Sequence, residues 1–408
     1  MTTRTMGSDN RLPRRQKSEH RREKPSAKAS APKRGAFSLF SVKAGGIDLT
    51  FLILVLLLLT IGLIMLFSAS FANALYYRNN SYAFISNQLI FAIAGVVLML
   101  MISTVNYKVL ERLAWAVMGL SVLLLIVVLF CPPINNARRW IPLPFFNVQP
   151  SEIAKFAVVI LFAHLAVLNQ HRMDSFRYGV LPFVTILAML AALIVVEPHL
   201  SGTILVLAIG AIMMLIGGTN IKWFGLAAVM GIVAIGVLIM IPDVVEYAQE
   251  RLLSWRDPFA DPRDSGFQTI QSLFAIGSGG LMGVGIGNSR QKYLYLPEPQ
   301  NDFIFSIVCE ELGFVGASLI LILFALLIWR GFVIGMRCKD RFGALVAVGL
   351  TAQVGLQTIL NIMVVTNTIP NTGVSLPFFS YGGSSLVMLL CQMGVVLAIS
   401  RQATMEKI

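Results

Sequence analysis

The chain has 408 residues, of which 56% are hydrophobic and 13% charged, with a formal net charge of +12 and a mean hydropathy of +0.77. A water-soluble domain of this size cannot hide that much apolar surface, whereas a bilayer solvates it, so the composition excludes a soluble globular protein. Apolar runs of about 17 to 25 residues recur along the chain, the length of a transmembrane helix.

The charge is concentrated at the start. Lys and Arg against only Asp9, Glu19 and Glu23 give residues 1–47 a charge of +9, in a stretch rich in Ser, Ala and Pro. That composition predicts a disordered cytoplasmic tail, which fixes orientation and touches anionic lipid. A nucleic-acid arm is the competing use of such charge, and lipid is the partner expected here. A cleaved signal peptide does not fit, because the first apolar run starts near residue 48 and is too long. Cys131, Cys309 and Cys391 lie in or beside apolar runs and Cys338 in a basic loop, so neither a disulfide framework nor a metal spacing is read.

Ten spans are predicted, at 49–71, 83–103, 112–131, 152–169, 179–196, 201–217, 221–241, 303–329, 343–366 and 383–400. The fold class is thus an all-α polytopic membrane protein, with a membrane domain over 48–401, a short tail at 402–408 and a large external loop at 242–302 between spans seven and eight. Lys108, Arg112, Arg172, Arg177, Lys222, Arg330, Arg337, Lys339 and Arg341 fall on inside loops in this arrangement, as the positive-inside rule requires with both termini cytoplasmic. An eleventh span over the uncharged residues 266–289 would turn the Arg330–Arg341 cluster outward. That stretch is therefore expected to lie on the outer leaflet or dip into it. Its glycines lack the strand and the Lys-Ser/Thr of a phosphate loop. No internal repeat is evident.

The candidate chemistry gathers at the external ends of spans. Arg138 and Arg139, beside Trp140, depart from the positive-inside tendency, and their forked donors suit a pyrophosphate as well as lipid headgroups. In Gln149-Pro-Ser-Glu-Ile-Ala-Lys155, Ser151 is the expected N-cap, and Glu152 and Lys155 share a helix face as an ion pair or a functional pair. The external loop mixes Arg251, Arg256 and Arg263 with Glu250, Asp257, Asp261 and Asp264. It ends in Tyr295-Leu-Pro-Glu-Pro-Gln-Asn-Asp-Phe-Ile-Phe305, which places Asp302 at the start of an apolar helix and at the membrane boundary. An N-cap is the plain reading of Asp302. Glu298 before it, with Glu310 and Glu311 about two turns deeper, forms a carboxylate cluster whose mutual repulsion would raise pKa values toward those of a general base. Gln353, Gln357 and Asn361 form a polar stripe for interhelical hydrogen bonding. The loop Pro370–Ser385, with Ser380, Tyr381 and Ser384, could hold a polar headgroup or cap the last helix.

In combination these segments resemble the SEDS family of membrane glycosyltransferases, the FtsW, RodA and SpoVE group, from about residue 48 to 400. The motifs are Arg139-Trp-Ile, Gln149-Pro-Ser-Glu152 with Lys155, Leu296-Pro-Glu with Asn301-Asp-Phe-Ile-Phe305, Glu310-Glu-Leu-Gly313 and Leu376-Pro-Phe-Phe-Ser-Tyr-Gly-Gly-Ser-Ser385. One segment departs from the family pattern. Where Pro-Asp-Leu-Gly-Thr is usual, the chain reads Glu197-Pro-His-Leu-Ser-Gly-Thr203, and His199 is assigned no catalytic or metal role on sequence grounds.

The resemblance implies polymerisation of peptidoglycan strands from lipid II at the outer face of the bacterial cytoplasmic membrane, with Asp302 as the catalytic residue. Undecaprenyl pyrophosphate would be the leaving group, and Arg138, Arg139 and Lys155 would offset its charge. Gln149, Glu152, Glu298, Ser380, Tyr381 and Ser384 complete the expected substrate contacts, while Glu310, Glu311, Gln357 and Asn361 serve as a structural polar network. No nucleotide is needed. A divalent cation such as Mg or Mn could share the charge, although the sequence offers no dedicated cage. A class B penicillin-binding transpeptidase and division or elongation proteins are the implied partners, and the long tail with Asn371–Ser375 leans toward the FtsW or SpoVE branch, hence the septum. A flippase for the same lipid and a non-catalytic division scaffold are the competing functions. Glu310, Glu311 and the Gln353–Asn361 stripe are what a transporter would use.

Overall fold

A bilayer core supplies no hydrogen-bond partners, so a backbone that crosses it must satisfy itself as helix. The computed structural model describes residues 46–133, 138–143, 147–197, 199–225, 255–262 and 266–403. Helices α1 (Leu49–Arg78), α2 (Ala83–Thr104), α3 (Lys108–Leu129), α4 (Pro150–Leu168), α5 (Leu181–Val196) and α6 (Leu200–Gly217) come first. After them come α7 (Phe267–Ser278), α8 (Ile304–Arg337), α9 (Arg341–Val365) and α10 (Gly383–Ala403). The one described sheet is a two-residue hairpin, β1 (Ile141–Pro142) against β2 (Asn147–Val148).

Among the described residues eight helices are long and apolar enough to cross a membrane, and α6 is apolar but shorter. Spans one to six and eight to ten of the sequence reading each coincide with one of these. Most of the seventh, 226–241, lies outside the described residues, as do Glu250, Arg251, Arg263, Asp264 and the tail 1–45. The flanks of the undescribed 226–254 segment sit at opposite ends of the bundle. Gly217 accepts from the Arg341 guanidinium at 2.9 Å at one end, whereas at the other Trp255 and Asn367 exchange side-chain-to-carbonyl bonds of 3.1 Å.

Helix ends follow local chemistry. Asp48 caps α1 by accepting from the Phe51 N–H at 3.0 Å, and both its oxygens take Arg330 donors at 2.7 to 3.1 Å, tying α1 to α8. Asp340 caps α9 the same way through the Gly343 N–H at 3.0 Å and also accepts from the Tyr107 hydroxyl. Pro150 sits in the first turn of α4, where its missing N–H leaves no bond unmade. That start corrects the cap expected at Ser151. Gln149 is the N-cap, and Ser151 lies inside the helix with its hydroxyl buried and unpartnered among the described residues.

Packing centres on α4 and α9. Helix α4 meets α3, α6 and α9, and α10 runs along α2. Small residues permit close approach, as association in lipid requires. Gly62 of α1 lies against the Phe378 carbonyl, and Gly394 of α10 against Met99.

The uncharged 266–289 stretch folds as one short helix and a glycine-rich turn packed on α8. Helix α7 has 12 residues, too few for a span, and the chain then turns back against α8. Val284 and Gly285 donate to the Glu310 and Glu311 carbonyls at 3.0 Å, while Phe314 and Val315 donate to Gly280 and Leu281. This pairing fills a break in α8 at Gly313, whose φ of 66° and ψ of −172° only glycine adopts readily. Side chains lock the same join. Glu310 accepts from the Ser289 hydroxyl and from the Arg290 N–H at 2.9 Å, and Glu311 accepts from Lys292 Nζ at 3.0 Å and Ser68 Oγ at 2.6 Å. The non-helical backbone at this break is satisfied because protein groups meet its N–H and carbonyl groups.

Candidate active site

At the end of the bundle opposite Asp48 and Arg330, a cavity of about 720 Å³ opens between the α3–α4 hairpin, the start of α6, the loop before α8 and the loop before α10. Asp302 lines it. The N-cap expectation for this residue is corrected by the helix start: α8 begins at Ile304, its cap position is Phe303, and no side chain caps it. The carboxylate is therefore not consumed by the helix and remains partly exposed to the cavity. Two neighbours fix its backbone and its approach. Asn361 of α9 donates from one amide to the Asp302 carbonyl and the Val374 carbonyl, each at 2.7 Å, joining the two loops. Gly373, at φ 64°, brings the second loop so close that a Cβ there would lie 2.9 Å from Asp302 Oδ2.

Burial lifts the Asp302 carboxyl from its ordinary 3.8 to about 6; Arg139 opposes the rise and Glu298 adds to it. Glu298 lines the same cavity and accepts from the Asn301 side chain. Glu310 and Glu311 do not belong to this group. The carboxylate cluster expected of all four is thus split, and the two deeper ones bond to the turn after α7 and anchor it.

Arg139 acts on Asp302, Glu197 and His199, which makes it the electrostatic centre of the cavity. Its neighbour Arg138 is turned away, donating to the Leu129 carbonyl at 2.9 Å, and does not line the cavity. Lys155 is buried and pairs with Glu152 at 2.7 Å on one face of α4, and both line the cavity with Gln149. Tyr381 packs edge-on against Phe84, and the Ser384 hydroxyl is buried without a partner among the described residues; both line the cavity. Ser380 instead staples the loop, donating to the Asn301 carbonyl at 2.6 Å and accepting from the Leu376 N–H at 2.8 Å. Of the polar stripe on α9, Gln353 donates to Gln392 of α10 at 3.1 Å, and Gln357 lines a small second cavity.

Two residues carry more than the sequence disclosed. Glu197 ends α5 with both carboxyl oxygens buried and unpartnered among the described residues, and burial raises its pKa to about 8 against the pull of Arg139. His199 lines the cavity, and burial, then Arg139 and Lys155, lower its pKa to about 3, so the ring is neutral. The Glu197-Pro-His199 departure was the available signal. For a divalent cation, no group of three or more His, Cys, Asp or Glu side chains able to hold one occurs among the described residues. Asp302 and Glu298 are two carboxylates on one cavity, the number with which Mg binds when substrate phosphates supply further oxygens. The residues thus fit an ion shared with substrate.

The cell cycle protein profile of FtsW, RodA and SpoVE chains matches residues 48–405. Stage V sporulation protein E of Bacillus subtilis (strain 168) is 42% identical over 360 residues, 87% of this chain and 97% of the relative. A probable peptidoglycan glycosyltransferase FtsW of Geobacter sp. (strain M18) is 35% identical over 87% of this chain and 97% of its own. Among solved structures, a chain described under structural coordination of polymerization and crosslinking by a peptidoglycan synthase complex superposes with a TM-score of 0.72. It is 28% identical and covers 88% of this chain and 98% of that one. The rod shape determining protein RodA of Thermus thermophilus superposes with a TM-score of 0.63 at 25% identity, over 87% and 97% of the two chains. With the profile matching residues 48–405, the chain belongs to the FtsW/RodA/SpoVE family of cell cycle proteins.

Proposed function

We propose that this protein is a peptidoglycan glycosyltransferase that polymerises lipid II at the outer face of the cytoplasmic membrane. The observation that carries the reading is one cavity that joins a carboxyl of raised pKa to Arg139 and Lys155. Asp302 takes the proton from the acceptor sugar's 4-hydroxyl as that oxygen bonds to the donor's anomeric carbon. The donor's bond to phosphate breaks, and its electron pair leaves on undecaprenyl pyrophosphate. Arg139 and Lys155 face the charge that develops there, with Glu152 holding Lys155 until phosphate competes for it. Gln149, Glu298, Tyr381 and the unpartnered Ser384 hydroxyl position the sugars. When bound with substrate, a divalent cation supplies further positive charge to the phosphates.

Both termini are proposed to be cytoplasmic and the cavity extracytoplasmic, giving ten spans in all. A partner transpeptidase is proposed as well; likeness to a chain from a peptidoglycan synthase complex supports it. A septal or sporulation role follows the relatives' names. The test is the purified protein in liposomes with labelled lipid II. Glycan chains are the expected product, and lipid movement without any glycan would establish the transporter instead.

A further inference from the structure

We infer that His199 donates a hydrogen bond to a phosphate of the substrate in this cavity, and that Gly202 is the positioning residue that makes room for it. The inference rests on the glycosyl-transfer reading for the identity of the phosphate, as the pyrophosphate of the lipid carrier.

The ring is held from below. His199 occupies the cap position of α6, and its carbonyl accepts from the Thr203 N–H at 3.1 Å and from the Thr203 hydroxyl at 3.2 Å. The imidazole lies flat over the first turn: a Cβ at position 202 would stand 2.7 Å from Nδ1 and 2.8 Å from Cε1. Any residue larger than glycine displaces it. The extra Ser201 is what brings a glycine under the ring.

Nδ1 is buried and meets no donor or acceptor among the described residues, while the residue as a whole is 8% exposed and lines the cavity. The edge left facing the cavity is therefore the Nε2 edge. A neutral imidazole carries one proton, and an orphaned buried N–H is rarer than an orphaned acceptor, which puts the proton on Nε2. His199 thus offers an N–H donor where the family pattern has a carboxylate, which can only accept.

The surroundings select the ligand. Arg139 and Lys155 both act on the ring, so a third donor stands beside two cations. Glu197, two residues away, does not cancel them, because burial keeps its carboxyl protonated at neutral pH. A donor set of this kind suits phosphate oxygens better than a sugar hydroxyl.

The test uses the full-length protein in nanodiscs of zwitterionic lipid, titrated with undecaprenyl pyrophosphate and, separately, with inorganic pyrophosphate. Trp140 on the cavity wall serves as the fluorescent reporter. His199→Ala should weaken binding of both probes about tenfold, the effect of losing one hydrogen bond to a charged group. His199→Asn, which keeps a donor, should retain most of the affinity, and His199→Asp should lose more than His199→Ala. Gly202→Ala should weaken binding to a similar extent, and the double variant with His199→Ala should lose no more than either alone. Wild-type affinity in His199→Ala and His199→Asp overturns the inference, and so does full additivity with Gly202→Ala. If phosphatidylglycerol in the nanodisc competes with pyrophosphate only when His199 is present, the site serves headgroups and the leaving-group assignment is overturned. The same preparations assayed with lipid II separate the two ideas: His199-dependent probe binding without any glycan defeats the glycosyltransferase reading and sustains the phosphate contact.

Discussion

Lowering the pH from 7.5 to 5 should switch the enzyme off well before an ordinary aspartate would. Only the ionised Asp302 can take a proton, and kcat/KM follows the fraction ionised in the free enzyme. With a pKa of about 6, roughly one Asp302 in eleven is ionised at pH 5, so kcat/KM should fall about tenfold from its plateau, with the half-point near pH 6. An Asp at 3.8 would lose only about 6% over the same interval. Glu298→Gln removes a charge that raises the pKa, so its half-point should move to lower pH. The same shift has a thermodynamic sign. The folded pKa lies above the unfolded one, so ionising Asp302 destabilises the fold. The cost is absent below pH 3.8 and complete above about 6. Each pH unit corresponds to about 1.4 kcal/mol, giving about 2–3 kcal/mol at pH 7.5. Asp302→Asn should therefore be no less stable than wild type at pH 7.5, and its advantage should vanish near pH 4. The assay is initial-rate polymerisation of labelled lipid II across pH 4.5 to 8, with thermal unfolding of both proteins alongside. A rate that is flat down to pH 5, or a large loss of stability in Asp302→Asn at neutral pH, would refute the reasoning.

Three other perturbations follow from the geometry. Lys292→Met leaves Glu311 buried without its cation and should lower stability by about 3–5 kcal/mol in thermal or denaturant unfolding, with Glu311→Gln in the same chain recovering much of it. Gly313→Ala puts a Cβ into the backbone of Gly283 and Leu281 at a φ that side chains rarely adopt. It should cost more than about 3 kcal/mol, read as loss of folded protein after extraction. Asn361→Leu removes the bonds that join the Asp302 and Val374 carbonyls, and should reduce kcat at least tenfold while the protein still inserts.

The spans were legible because a run of about 20 apolar residues has one stable solution in this composition. Their ends were less so. Helix α1 continues to Arg78 and α8 to Arg337, past the edges of the apolar runs, because helix persists where the hydropathy signal stops. Charge bias argued against an eleventh span over 266–289, yet the pairing of this turn with the break at Gly313 depends on contacts about 30 residues apart, which no local pattern encodes. Arg138 and Arg139 read as a matched pair. In a loop, adjacent side chains follow no period, and only Arg139 reaches the cavity. Glu310 and Glu311 fitted both a carboxylate cluster with Asp302 and a structural polar network, because a carboxylate in a span signals function or structure equally until its partners are seen. Here those partners are Ser289, Lys292 and Ser68.

The most direct measurement is glycan synthesis by purified Asp302→Asn with lipid II, alongside wild type and with membrane insertion verified. The expected result is a folded, inserted protein that makes no detectable polymer. Polymer at the wild-type rate from that variant would contradict it.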